Sequence, residues 1–270
     1  MTTNVAACDQ KENENCTAVD EWHFSLGLGA GVITNPLYKG KNTPLVIIPY
    51  IHYYGDKIFI ENNTLGYSFI QSKSVILSAV SQLNREAIFF NDWQPSHLFI
   101  PHFSESINDS STQPSISVNN IKKRKWAIDG GLQLNWFISD SVDMKAQILR
   151  DLNQVYHGYN ANVVFNKTIR FPAFKESQFN ISIGANWQSK NLANYYYGLG
   201  ENDNVDISNR YQAGSGIQPF FSLAAIHKFS KKWQLKFLLK QEFLDDNLTH
   251  SPLVEENTVI SAFIGVVYVF

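Results

Sequence analysis

Ile260-Ser261-Ala262-Phe263-Ile264-Gly265-Val266-Val267-Tyr268-Val269-Phe270 closes the chain, and its reading decides the fold. One face carries Ile260, Ala262, Ile264, Val266, Tyr268 and Phe270; the other carries Ser261, Phe263, Gly265, Val267 and Val269. Successive side chains of a strand point to opposite sides, so the first set makes one continuous apolar edge suited to lipid. A terminal aromatic, a second aromatic two residues earlier and a glycine before both form the pattern of a membrane-barrel assembly signal. Gly265, Tyr268 and Phe270 are the candidate signal residues, and the barrel-assembly machinery is the partner they imply.

The same period of two runs back through the chain. Trp233, Leu235, Phe237 and Leu239 alternate with Gln234, Lys236, Leu238 and Lys240, and Phe179, Ile181, Ile183, Ala185 and Trp187 alternate with Asn180, Ser182, Gly184 and Asn186. Between Trp126 and Ile138 the inward set reads Ala127, Asp129, Gly131, Gln133, Asn135 and Phe137. Near the start, Phe24, Leu26, Leu28, Ala30 and Val32 alternate with Ser25, Gly27, Gly29 and Gly31, small residues that let the inner wall crowd close. A soluble sandwich or lipocalin alternates too, with its apolar face turned inward. Here the segments outrun the usual soluble strand of about 5–6 residues and suit a tilted bilayer crossing. Aromatics also mark their ends: Trp126, Trp136, Phe171, Trp187, Phe229, Trp233 and Phe243 are candidate interface anchors.

The expected fold is therefore all-β, a transmembrane antiparallel up-and-down barrel. Twelve strands are placed near residues 22–33, 45–54, 57–62, 65–71, 73–85, 125–138, 141–153, 160–171, 177–189, 217–229, 231–244 and 256–270. Ten and fourteen stand as alternatives, because 57–62 and 65–71 are too short to cross alone. Long connections at 34–44, 86–124, 190–216 and 245–255 then fall on one side, expected to be the cell exterior, and tight turns at Gly55-Asp56, Ser139-Asp140 and Ser230-Lys231 on the other. Residues 1–21 read as a polar periplasmic tail and 22–270 as the barrel, with both termini periplasmic and the outer membrane of a Gram-negative envelope as the location. Outer-membrane lipid and lipopolysaccharide are the expected surroundings.

Composition narrows the function. Among 270 residues the formal net charge is −2, and no block of five or six like charges occurs, which removes the electrostatic case for nucleic acid. Lys122, Lys123, Arg124 and Lys125 form the one basic cluster, read as a solvated flank. No stretch approaches the ~18 apolar residues of a spanning helix. Met1 to Gln10 has neither the basic stretch nor the apolar run of an export signal, and is read as the start of a mature or engineered chain. Cys8 and Cys16, in the polar tail with no histidine at ligand spacing, are a candidate disulfide.

Words in a fixed order carry a family resemblance: Gly27-Leu28-Gly29-Ala30-Gly31-Val32, Asn35-Pro36-Leu37-Tyr38-Lys39-Gly40, Pro49-Tyr50-Ile51 with Tyr54-Gly55-Asp56, Tyr195-Tyr196-Tyr197-Gly198, Ser251-Pro252-Leu253-Val254 and Tyr268-Val269-Phe270. From about Glu21 to Phe270 the chain resembles the MipA/OmpV family of outer-membrane proteins. The resemblance implies a barrel, with one branch named for binding a murein-degrading lytic transglycosylase and bringing it to a murein polymerase, and other branches that look porin-like. It implies no catalytic motif and no cofactor. A scaffold for murein enzymes is the first functional expectation, and a narrow channel for small solutes the second.

A third, less favoured class is a lipid hydrolase, for which His102-Phe103-Ser104 is the one matching spacing; in an irregular loop it reads as a surface histidine. Asp245, Asp246, His250, Glu255 and Glu256 lack the spacing of a cation loop. Asp129, Asp143, Lys145, Lys236, Lys240 and Glu242 are expected to face the lumen, lining a water path or pairing into a plug. Tyr195 to Gly198 reads equally as a recognition patch or as an interface anchor and turn. One prediction follows from the terminal strand: deleting Phe270, or replacing Tyr268 and Phe270 by Ala, lowers the amount of heat-modifiable barrel in cells, and unchanged outer-membrane levels would refute the assembly role.

Overall fold

The computed structural model describes residues 20–90 and 116–270. Their strands form one antiparallel sheet: β1 (Trp22–Ile33), β2 (Thr43–Pro44), β3 (Ile47–Tyr54), β4 (Ile58–Glu61), β5 (Thr64–Gln71), β6 (Val75–Leu83), β7 (Ile128–Ser139), β8 (Val142–Asp151), β9 (Tyr159–Ile169), β10 (Ser177–Gln188), β11 (Gly216–Lys228), β12 (Trp233–Phe243) and β13 (Thr258–Val269). Each strand pairs with the next in sequence, except that β2 and β3 both pair with β1, and β13 returns to β1 from Ser25↔Val269 to Ile33↔Ser261. Since β2 and β3 both pair with β1 along one line, the thirteen segments make a closed barrel of twelve strands.

Register explains the alternation. On β10 and β11, Ile183↔Phe221 and Ile181↔Leu223 point outward, and Asn186↔Gln218 and Ser182↔Ser222 inward. Phe179, Ile181, Ile183, Leu223, Phe237, Ile264 and Leu132 are all exposed on the outer wall. In water such a belt would be an aggregation surface; in a bilayer it is solvated by acyl chains.

The closing seam depends on glycine. Gly29 lies opposite Gly265, and a Cβ on Gly29 would stand 2.2 Å from the Ile264 carbonyl oxygen. A Cβ on Gly265 would meet the Phe263 ring at 2.5 Å, so the glycine line makes room for an inward phenylalanine that is only 2% exposed. Lower in the lumen, Phe59 lies over Gly66 in the same manner and packs with Val80, Leu149 and Tyr54.

The strand map differs from the sequence expectation in particular places. The strand expected at 45–54 begins at Ile47, and Val46, in the break between β2 and β3, accepts from the Gly29 N–H. The doubtful pair 57–62 and 65–71 is two strands, the four-residue β4 and β5, joined by a tight turn at Asn62, whose φ is 52°. β4 pairs only with residues 52–54 of β3. Ile51 spends its N–H and C=O on Asn62, so by alternation the Pro49 nitrogen points to the same side, beyond the end of β4. A residue with no N–H occupies the position where an N–H would find no ladder. Elsewhere boundaries move by one to three residues: 125–138 becomes Ile128–Ser139 and 73–85 becomes Val75–Leu83.

A side chain at position 29 has only backbone to push against. Gly29→Val is therefore expected to cost about 1–3 kcal/mol and to lower the temperature at which the heat-modifiable form is lost, whereas Ala30→Val, facing outward, leaves it unchanged.

Candidate functional site

All the long connections leave one end of the barrel, and the described parts fold together into a cap over that mouth. Its core is Leu37, Ala87, Ile121, Tyr156, Leu192, Ala193, Tyr196, Tyr197, Leu199, Leu248 and Leu253, buried against one another. The central piece is a helix, α1 (Lys190–Tyr197), started by Ser189, whose hydroxyl accepts from the Leu192 N–H. Leu192, Ala193, Tyr196 and Tyr197 share its buried face at helical spacing. A second, one-turn helix, α2 (Asp246–Thr249), is capped by Asp245. Arg124 ties the cap laterally, with Nη1 donating to Asp203 Oδ1 at 2.8 Å and Nη2 to the Gly198 carbonyl at 2.8 Å.

Beneath the cap the chain leaving β6 turns into the lumen as a short 3-10 segment, Arg85–Phe89, capped by Asn84. Arg85 spans to β11 and β12: Nη1 donates to Glu242 Oε2 at 2.9 Å, Nη2 also to Glu242 Oε1, and Nη2 to Gln218 Oε1 at 3.1 Å. Glu242 also holds Lys240 at 2.8 Å and accepts from Asn186 at 3.1 Å. Glu86 accepts the Tyr197 hydroxyl at 2.5 Å, which joins this latch to the cap helix. Burial pushes the Glu86 carboxyl above the ordinary carboxylate range, against the opposing pull of Arg85 and of the Tyr197 hydroxyl. Burial and the facing Glu86 raise the Tyr197 hydroxyl well above its ordinary value.

A second hub is Asp129, only 1% exposed. It accepts from Asn84 at 2.6 Å, Asn160 at 2.7 Å and the Tyr156 hydroxyl at 2.5 Å. Near it, Asp151 accepts the Tyr156 and His157 backbone N–H groups at 2.6 and 2.8 Å, which shapes the loop that carries Tyr156. Every carboxylate here has several donors, the condition under which a buried charge is tolerated.

The six expected lumen charges point inward by register, but they do not form one cluster. Asp129, Lys240 and Glu242 join the networks above; Asp143 accepts from Asn166 at 2.7 Å, Lys236 lies 3.9 Å from the Tyr50 ring centroid, and Lys145 lies on β8 opposite Asn135. Trp136, Phe171, Trp187, Phe229, Trp233 and Phe243 are exposed on the outer wall or its ends. Trp126 is different: it precedes β7 and packs against the cap core. Tyr268 stacks edge-on against Trp233 and Phe270, and Gly265 lies in the seam.

Two expectations need correction. Tyr195 to Gly198 is neither a surface patch nor an interface anchor, since Tyr196 and Tyr197 are fully buried in the cap. The basic cluster is not wholly a solvated flank either, because Arg124 is buried against Asp203. Cys8, Cys16, His102 and Ser104 lie outside the described residues. Asp245 serves as a helix cap, and no group of three or more metal-ligating side chains occurs among the described residues.

Reasoning from sequence missed Arg85, Glu86, Tyr156 and the amides Asn84, Asn160, Asn162, Asn186, Gln188 and Gln218. The inward asparagines and glutamines stood on strands already read as polar-in, so their identity as amides was the available signal. For α1 the signal was Ser189 followed by apolar residues at positions 192, 193, 196 and 197.

Several known proteins are similar to this chain. A family model described as MltA-interacting protein MipA matches residues 28–270. The MltA-interacting protein of Escherichia coli K12 is 23% identical over 261 residues, covering 93% of this chain and 91% of that protein. A putative outer membrane protein, YiaT, of Escherichia coli O157:H7 is 24% identical over 250 residues, covering 92% and 91%. Among solved structures, an outer membrane channel from Pseudomonas putida F1 aligns with 96% of this chain and 99% of its own at 13% identity and a TM-score of 0.46.

The latch makes a prediction about conduction. Arg85→Ala removes the one side chain among the described residues that bridges β11, β12 and the chain leaving β6, so single-channel recordings should show more frequent openings than in the parent; no difference would refute the latch. Because the native Glu86 carboxyl titrates above its unfolded value, the folded cap holds a proton that the unfolded loop does not, and stability rises as pH falls through that window. Openings should be rarer at mildly acid than at neutral pH, and Glu86→Gln should abolish that difference.

Proposed function

The chain belongs to the MltA-interacting protein MipA family, and from that premise we propose that it is a scaffold that holds a murein-degrading lytic transglycosylase at the outer membrane, near a murein polymerase. It is an outer-membrane β-barrel, and a relative spanning nearly its whole length is named for interaction with MltA. The observation that carries the reading is the capped mouth. The latch from Arg85 to Glu242 and the aromatic core around Tyr196 and Tyr197 fill the long-loop end of the lumen. A barrel stoppered in this way offers its partners surfaces in place of a passage.

In this proposal the short-turn end and both termini face the periplasm, as is usual for such barrels. That end bears five connections, of which 170–176 is the longest, and Phe171 and Phe174 on it are exposed. An exposed aromatic pair among Arg170, Lys175 and Glu176 has the composition of a binding anchor with a charged rim. A second reading, a narrow solute channel, draws on the polar wall below the cap, where Asn166, Thr168, Gln178 and Asn180 face inward.

The test is co-purification from detergent-solubilised envelopes. The scaffold reading expects the parent barrel to retain a lytic transglycosylase and the Phe171→Ala/Phe174→Ala variant, still heat-modifiable, to retain several-fold less. A parent that captures no murein enzyme but passes a steady ionic current in planar bilayers would favour the channel and overturn the scaffold.

A further inference from the structure

We propose that the amide-lined cavity beneath the cap binds one neutral, polyhydroxylated molecule of monosaccharide size. The cavity has a volume of about 220 Å³, which at ~30 Å³ per molecule is room for about seven waters. Its roof is Asn84, Arg85, Glu86 and Leu192, and its walls include Gln147 of β8, Asn160 and Asn162 of β9, and Asn186 and Gln188 of β10.

The hydrogen-bond ledger of those walls is lopsided. Each of four wall amides gives at least one N–H to the protein: Asn160 donates to Asp129 and to the Tyr156 oxygen, Asn162 to Asn186 at 2.7 Å, Asn186 to Glu242, and Gln147 to Gln133 at 2.7 Å. The carbonyl ends of Gln147, Asn160 and Asn162 accept nothing from the described residues. Gln188 is only 3% exposed, and its Oε1 has no hydrogen-bond partner among the described residues. A buried acceptor left unmatched is costly, and Gln188 is one of the residues that line the cavity.

Charge selects the class of ligand. Arg85, Glu86, Asp129 and Lys240 line the space in equal numbers of each sign, and each is already matched: Arg85 and Lys240 to Glu242, Arg85 to Glu86, and Asp129 to three neutral donors. An anion would meet Asp129 and Glu86, and a cation would meet Arg85 and Lys240. What the wall lacks is donors for several carbonyl oxygens, while one Nη1 hydrogen of Arg85, which lines the same space, is left after its bonds to Glu242, Gln218 and Glu86. Several hydroxyls on one compact neutral molecule supply both needs, since each donates once and accepts twice. Carboxamides ringed about a polar cavity suit a sugar ring better than an apolar ligand, which would strand every one of them.

Isothermal titration of the folded barrel in detergent, using neutral hexoses, N-acetylhexosamines and a hexose 6-phosphate, tests the assignment. At least one neutral sugar should bind saturably at one per barrel, the phosphorylated sugar more weakly. Gln188→Leu and Asn162→Leu should each weaken binding about five- to tenfold with heat modifiability retained; where Gln188→Leu does not fold, Gln147→Met takes its place. Absence of saturable heat from every neutral sugar, tighter binding of the phosphate, or unchanged affinity in the folded variants would overturn the proposal.

Discussion

A backbone polar group without a partner in hydrocarbon costs several kcal/mol, and the rest of this molecule follows from meeting that demand. A sheet in lipid can have no edge, so β13 must find β1, and the chain spends its glycines to let it. Gly29 and Gly265 face each other at the seam where a single Cβ would strike backbone. One place where the ladder stops short, above β4, carries Pro49 with its nitrogen on the unladdered side. Closure, a glycine seam and a proline at the gap are three consequences of one constraint.

The lumen answers the same constraint with side chains. Its upper half is stoppered by loops that pack an aromatic core, and the carboxylates beneath are held by many weak donors, with Asp129 taking three and Glu242 taking Arg85, Lys240 and Asn186. The Tyr197–Glu86 hydrogen bond makes cap and latch one unit. The same satisfied networks leave a set of carbonyl oxygens turned into the remaining cavity.

Much of the wall was legible in the sequence because lipid enforces period two along most of each strand: the runs around Phe179, Trp233 and Ile260 could be read one face at a time, and the twelve-strand count came from which connections were long. β4 escaped confident reading because four residues cannot establish a period, and because its pairing with β5 is set by the turn at Asn62. The cap was illegible for a different reason. Tyr196 and Tyr197 are buried in one cluster with Ala87, Leu248 and Leu253 from two other loops, and tertiary contacts of that range leave no local signature. Inward charges were found by alternation, but the partner of Glu242 is Arg85, 157 residues away on a segment with no strand pattern. The family words of the sequence fall on these parts: the glycine run lies at the seam, and Tyr195 to Gly198 and Ser251 to Val254 meet in the cap, where the Ser251 hydroxyl donates to the Tyr197 carbonyl at 2.6 Å.

Amide hydrogen exchange on the barrel in lipid nanodiscs tests closure and capping together. The account predicts that amides of β1 and β13 exchange as slowly as those of β10 and β11, and that the backbone of α1 is protected well beyond what a surface helix of eight residues would be. Rapid exchange along 22–33 and 258–269, with β10 and β11 protected, would mean an open seam and contradict the account at its foundation.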